Sequence, residues 1–159
     1  MKPELDQWKP GEHNGTFRGN NFAFVTAKAA IDHYWSDDAF TQEVKSKGRY
    51  ISQRLEGITK KYGEGNFTAK GRGMFQGLNC VNGELAGSIT QKAFQKGLII
   101  ETSGADDHVV KFLCPLIISD ENLKKGIDIA EQAIQEVCVE EQSIPKEVDF
   151  FGGLRVINT

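Results

Sequence analysis

The hydrophobic period changes at residues 62–66, and this change constrains the possible folds more than any other feature of the chain. Before it, apolar side chains recur every three or four residues, which predicts two helices separated by a short polar break. Asn20 or Asn21 is a suitable N-cap for the first of them. After it, residues 67–70 and 74–81 alternate apolar with small or polar side chains, as half-buried strands do. The chain therefore combines helical and strand regions.

The second half of the chain continues this combination. A helical pattern follows Asn82, which favours a helix start there over a hairpin turn, and Gly97 is placed to end that helix. The apolar run 98–100 predicts a short buried strand, and residues 108–113 predict another. Ser119 precedes the last helical pattern as its N-cap. Helices and strands that segregate in this order predict an α+β fold.

Composition excludes several classes of protein. The 159 residues carry a formal net charge of −3, so no general polyanion-binding face is expected. No apolar run approaches the roughly 20 residues that span a bilayer, and the N-terminus does not resemble a signal peptide. Cys80, Cys114 and Cys138 are widely spaced among apolar residues, which predicts reduced core thiols in a cytoplasmic protein and no metal site.

The segment 11–21, G-E-H-N-G-T-F-R-G-N-N, has little to bury and many hydrogen bonds to offer. Backbone N–H groups in a glycine-rich turn, a threonine hydroxyl and a guanidinium are suited to binding a phosphate group. The spacing fits neither the dinucleotide-binding nor the Walker pattern. A surface turn that simply requires glycines would explain the same composition. His13 has no visible carboxylate partner, so we expect it to be structural.

Residues 8–30, W-K-P-G-E-H-N-G-T-F-R-G-N-N-F-A-F-V-T-A-K-A-A, closely resemble a segment of the class III pyridoxal-phosphate aminotransferases. The family segment reads roughly G-x-H-x-x-T-x-G-G-N-P, and its threonine binds the cofactor phosphate across a dimer interface. Thr16 occupies that place, beside Gly15. Arg18 and Asn21 stand where many relatives have glycine and proline, which is typical of the branch that makes 2,4-diaminobutyrate. The resemblance extends to about residue 139.

This resemblance implies the C-terminal small domain of a fold-type I aminotransferase, preceded by a long helix and the loop for the cofactor phosphate. It implies a phosphate loop and linking helix at residues 1–36, a small α+β domain at 37–141 and a C-terminal tail at 142–159. The family's Schiff-base lysine lies upstream of the matched motif. We therefore expect this chain to contain no catalytic lysine and to be the C-terminal portion of an enzyme.

The implied activity uses pyridoxal 5′-phosphate to transfer an amino group from glutamate to aspartate semialdehyde, yielding 2,4-diaminobutyrate and 2-oxoglutarate in ectoine biosynthesis. The implied enzyme is a cytoplasmic homodimer or larger assembly, with no nucleic-acid or membrane partner. Another class III ω-aminotransferase is an alternative. A second alternative is a non-catalytic fragment or partner-binding module that lacks the Schiff-base lysine.

Lys111 interrupts the apolar strand pattern V-V-K-F-L-C-P-L, and burying an unpaired ammonium there would cost several kcal/mol. The family pattern is roughly I-R-F-x-P-P-L, and its arginine binds the α-carboxylate of the substrate. Lysine cannot form the bidentate contact of arginine, so Arg18 or Arg72 could share that task. A lysine that snorkels from an edge strand is the alternative.

The segment K-G-R-G at residues 70–73 stands where the family usually has R-G-x-G, with Lys70 in the place of the arginine and Arg72 at the variable position. Its two glycines allow another backbone or a ligand to approach closely. A glycine-rich connection with solvated charges is the alternative explanation.

Overall fold

The computed structural model describes residues 2–12, 15–63 and 65–143, together with the side chains of these residues except Thr16 and residues 140–143. Its backbone contacts divide the chain into two units, residues 1–43 and 44–159. The predicted role of His13 and the predicted tail beyond residue 143 lie outside the described residues. The predicted domain boundaries stay a prediction.

The first unit consists of an irregular lead-in, helix α1 (Asn21–Tyr34) and the start of helix α2 (Ala39–Tyr62). The side chain of Asn20 caps α1 by accepting a hydrogen bond from the backbone N–H of Ala23, so the predicted cap is confirmed. Tyr34 and Trp35 both contact the ring of Phe40 at centroid distances of 5.0 Å, which fixes the corner between the helices. No residue of α1 is buried, so its predicted apolar stripe lies exposed among the described residues.

The second unit is a four-stranded antiparallel sheet with helices on one face. Its strands are β1 (Phe67–Arg72), β2 (Phe75–Cys80), β3 (Glu101–Ser103) and β4 (Val109–Leu113), in the spatial order β1-β2-β4-β3. Helix α3 (Gly83–Gln95) follows β2, and helix α4 (Asp120–Ser143) follows β4. Helix α2 completes the same core from residue 44 onward. The predicted α+β fold is confirmed.

The core lies between one face of the sheet and the apolar stripes of helices α2, α3 and α4. The predicted stripes of α2 and α4 are buried as expected. Their buried members are Ile51, Leu55, Ile58, Leu123, Ile127, Ala130, Ile134 and Val137. The predicted helix start after Asn82 is confirmed, and Asn82 caps α3 by accepting from the N–H of Leu85. The predicted cap of α4 is also confirmed, since Ser119 accepts from the N–H of Asn122. The local sequence pattern therefore predicts the starts and the buried faces of these helices correctly.

An ion-pair network joins α2 to α4 at the edge of this core. The guanidinium of Arg54 lies 2.7 Å from a carboxylate oxygen of Asp128 and 2.9 Å from one of Glu131. It also donates to the hydroxyl of Tyr50, while Lys61 contacts Glu131 at 3.0 Å. Since the charged groups are only partly buried, the network adds little to the stability of the fold.

The run 98–100 is not a strand, so that prediction was wrong. Gly97 ends α3 with a φ of +87°, and the N–H of Leu98 donates back to the carbonyl of Ala93. The chain therefore still wraps the end of the helix at residue 98, and Ile99 is 83% exposed. Strand pairing begins only at Glu101, which pairs with Lys111 of β4.

The cysteine prediction is partly confirmed. Cys80 and Cys138 are buried in the core, and Cys114 is half-buried at its edge. All three are free thiols. Burial raises the pKa of Cys80 to about 11, so this thiol stays protonated at neutral pH.

Candidate functional site

Strand register places three cations on the open face of the sheet. Lys70 pairs with Gly77, Gly77 with Lys111, and Lys111 with Glu101, so these residues form one row across all four strands. Arg72 lies two residues beyond Lys70 and therefore projects to the same face. The opposite face carries the buried side chains of the core. We call the open face with Lys70, Arg72 and Lys111 the cationic face.

Lys111 does not stand unpaired on this face. Its Nζ lies 2.9 Å from a carboxylate oxygen of Glu101, the neighbouring residue in the row. The lysine side chain is 25% exposed and the glutamate side chain 73% exposed. An ion pair with one partner so exposed is weak, so another carboxylate can replace Glu101 at little cost. The sequence does not indicate Glu101, because it predicts a strand at residues 98–100 that leaves Glu101 outside. The observed register places this carboxylate directly opposite the ammonium of Lys111.

Lys70 and Arg72 occupy the free edge of the sheet on strand β1. The Nζ of Lys70 donates to the side-chain oxygen of Asn79 at 3.2 Å. Arg72 is exposed and stands between Gly71 and Gly73, which have φ values of +113° and +59°. A Cβ on Gly71 would lie 2.4 Å from the carbonyl oxygen of Phe75, so only glycine fits there. The glycines of this segment therefore serve a tight hairpin.

Arg72 and Lys111 are close enough to bind one ligand from two sides. They are separated by two strand spacings and two residues along the strand, which places their Cα atoms about 12 Å apart. Strand β2 contributes Gly77 to the row between them, so no β2 side chain stands beside Lys111 in that row. Phe75 pairs with Arg72 and is exposed on the same face, so an aromatic side chain stands beside the cation at this edge.

A cleft of about 350 Å³ opens beside Lys111 and Glu101. Its walls are mainly apolar and come from residues 98–101, the end of β4 and the first turns of α4. Cys114 lies in this wall, and burial raises the pKa of its thiol, which argues against a nucleophilic role at neutral pH. The cleft supplies an apolar surface next to the cation that the sequence singled out.

The first unit holds the other predicted site residues, Gly15, Thr16 and Arg18, within one short 3-10 helix (Thr16–Arg18) and its preceding residue. The N–H of Arg18 donates to the carbonyl of Gly15 at 3.1 Å. A Cβ on Gly15 would lie 2.7 Å from Nε of Arg18, so the arginine side chain folds over the glycine. The guanidinium of Arg18 therefore lies beside the exposed backbone of Gly15. A positive charge next to an accessible backbone is suited to binding an anionic group.

Other classes of site find no support in the part of the chain that the structure describes. Within residues 2–12, 15–63 and 65–143, no three histidine, cysteine, aspartate or glutamate side chains are grouped so as to hold a metal ion. None of the helices described is both long enough and apolar enough to cross a membrane.

Comparison with known proteins gives a consistent family. The profile of the family described as aminotransferase class III matches residues 3–134. A diaminobutyrate–2-oxoglutarate transaminase of Bordetella parapertussis is 48% identical over 156 residues, which cover 98% of this chain and 36% of that protein. The protein of the same name from Halomonas elongata is 50% identical over 138 residues, or 86% of this chain and 33% of its own length. The chain thus spans about a third of the length of these curated relatives.

Solved structures agree with this family at the level of the fold. An acetylornithine aminotransferase from Elizabethkingia anophelis superposes with a TM-score of 0.64 at 24% identity, over 81% of this chain and 33% of that one. An ornithine aminotransferase from Toxoplasma gondii gives a TM-score of 0.69 at 20% identity, over 84% of this chain and 31% of that one. At this identity the likeness establishes a shared fold.

Proposed function

Because the chain belongs to the class III aminotransferase family, we propose that it forms part of an enzyme that transfers an amino group from glutamate to aspartate semialdehyde. The products are 2,4-diaminobutyrate and 2-oxoglutarate, in a step of ectoine biosynthesis. The observation that carries this proposal is the identity of 48–50% with relatives named diaminobutyrate–2-oxoglutarate transaminase, over most of the chain. The enzyme is proposed to act in the cytoplasm as a homodimer or larger assembly.

Pyridoxal 5′-phosphate, when bound, supplies the electron sink for amino transfer. The residues of this chain that would hold its phosphate are Gly15 and Thr16. The backbone at Gly15 is exposed and carries no side chain, so its N–H group is accessible to a phosphate oxygen. In a dimer, this loop would serve the cofactor of the neighbouring subunit, as the resemblance implies.

The cationic face is proposed to bind the substrate carboxylates. Lys111 would take one carboxylate in exchange for Glu101, whose weak, exposed ion pair keeps the ammonium paired while no substrate is bound. Arg72 is exposed on the same face and would contact the second carboxylate of a dicarboxylic substrate such as glutamate. Arg18 is the other cation proposed to contact substrate.

The proposal is tested with a chimera in which this chain replaces the matching third of the Halomonas elongata relative. The two sequences are 50% identical over that region, so the junctions join closely related segments. We expect the chimera to form 2,4-diaminobutyrate from aspartate semialdehyde, dependent on glutamate and on added pyridoxal 5′-phosphate. The isolated 159-residue chain is the comparison, and we expect no turnover from it because it supplies only part of the site.

A folded chimera that binds the cofactor but uses another amino acceptor would favour the alternative of a different class III ω-aminotransferase. A folded chimera that transfers no amino group to any acceptor would contradict the proposed activity. Glutamate-dependent turnover by the isolated, sequence-verified chain would contradict the expectation that the site is shared with other segments.

A further inference from the structure

Gln76 is a buried side chain that ties the hairpin of Arg72 to helix α2. Its side chain is 5% exposed, and its Nε2 donates to the carbonyl of Gly48 in α2 at 2.8 Å. The same nitrogen donates to the carbonyl of Gly73 in the turn between β1 and β2. Its Oε1 accepts from the hydroxyl of Ser52, one helical turn beyond Gly48, at 3.0 Å. One amide therefore joins the helix, the turn and the second strand of the hairpin.

Two glycines lie in and beside the turn of this hairpin, so little in its own sequence fixes its conformation. Gly71 and Gly73 flank Arg72 and both have positive φ, so the backbone on either side of the arginine has no side chain to restrict it. Met74, the other turn residue, is buried in the core and holds the turn on one side. The carbonyl of Gly73 points toward α2, where the amide of Gln76 is the donor that the structure provides.

We propose that Gln76 is a positioning residue that fixes the direction in which Arg72 leaves the sheet. It holds the turn against α2 by satisfying the carbonyls of Gly48 and Gly73 together. The inference rests on the proposed function, in which Arg72 binds a substrate carboxylate. Gln76 itself lies on the buried face of the sheet and does not contact the substrate.

The first arm of the test uses the 159-residue chain and measures hydrogen exchange in the peptide that covers residues 70–75. Gln76→Met keeps the size of the side chain and removes both donors, so we expect exchange there to become at least tenfold faster. Gln91→Met, at an exposed position of α3, is the matched control and should change nothing. Exchange in α4 reports whether each variant remains folded.

Two further variants separate the contacts of Gln76. Ser52→Ala removes the hydroxyl that donates to Oε1 but leaves both carbonyl contacts, so the turn should stay protected. Gln76→Asn keeps the amide, but its side chain is one methylene too short to reach both carbonyls. Hydrogen exchange in the turn should therefore become faster, as in Gln76→Met. If Gln76→Met fails to fold, Gln76→Asn still tests whether the amide of Gln76 holds the turn.

The second arm measures kinetics in the chimera described above, at a temperature where all variants are folded. Gln76→Met should raise the KM for glutamate about tenfold and change kcat by less than about twofold, because carboxylate binding is affected and the chemical step is not. Gln91→Met should leave both constants unchanged.

Each arm can overturn the inference. Unchanged exchange in the turn of a folded Gln76 variant would show that the amide does not hold it. An unchanged KM, or a loss of kcat alone, in an active chimera would show a purely structural role. A parent chimera without transaminase activity contradicts the proposed function instead, and the exchange measurements then still decide whether Gln76 holds the turn.

Discussion

Replacement of Gly48 by alanine tests the packing of α2 against the hairpin most directly. Glycine inside a helix costs about 1 kcal/mol relative to alanine, so helix propensity alone predicts that Gly48→Ala stabilises the protein. The structure predicts the opposite sign. A Cβ on Gly48 would lie 2.8 Å from the carbonyl carbon of Gly73, whereas carbon atoms in contact normally lie about 3.5–4.0 Å apart.

The magnitude follows from these two opposing effects. Backbone atoms block the added methyl group, so the helix and the turn must separate, and overpacking of this kind costs about 1–3 kcal/mol. The separation also stretches the bonds from Gln76 to the carbonyls of Gly48 and Gly73, each worth about 0.5–1.5 kcal/mol. After the propensity gain of about 1 kcal/mol is subtracted, we expect Gly48→Ala to destabilise the chain by about 1 kcal/mol if both bonds weaken little and by up to about 5 kcal/mol if both are lost.

Gly57→Ala is the matched control, because Gly57 lies in the same helix with nothing within 4 Å of its added Cβ. It should raise the free energy of unfolding by about 0.5–1 kcal/mol. Urea unfolding of the 159-residue chain, followed by circular dichroism, measures both variants against the parent. If Gly48→Ala is stabilised as much as Gly57→Ala, then α2 and the hairpin are not in the close contact described.

Three other variants test the carboxylate site, the phosphate loop and the ion pairs between α2 and α4. Lys111→Met in the chimera should raise the KM for glutamate about tenfold or more if the ammonium binds a carboxylate; unchanged kinetics with a higher melting temperature would favour a snorkelling lysine. Thr16→Val should weaken retention of pyridoxal 5′-phosphate without unfolding the protein, and an unchanged dissociation constant would remove support for the phosphate loop. Hydrogen bonds from Lys124 and Arg54 hold the pKa of Asp128 below its ordinary value of 3.8. The stability they confer is therefore complete above pH 3.8 and is lost as the pH falls through the lower folded pKa. Arg54→Leu should therefore make the free energy of unfolding fall less steeply with decreasing pH, as measured by urea titrations between about pH 2 and 6.

The sequence alone is sufficient to predict where most helices begin and which of their faces are buried. The caps at Asn20 and Ser119, the start of α3 after Asn82 and the apolar stripes of α2 and α4 depend on contacts within a few residues, and the sequence predicts them correctly. The family was also evident from the glycine-rich segment at residues 11–21, whose pattern is specific. Short-range rules suffice where one residue and its near neighbours fix the conformation.

Only the tertiary structure decided which residues meet. The apolar run 98–100 resembled a buried strand, yet the end of α3 prevents it from pairing and shifts the strand to Glu101. That shift alone brings Glu101 opposite Lys111. Helix propensity alone makes Gly48 a weak point of its helix, but the backbone of Gly73 lies so close that only glycine fits there. Strand register and the close approach of a helix depend on residues far apart in the chain, and no local period records them.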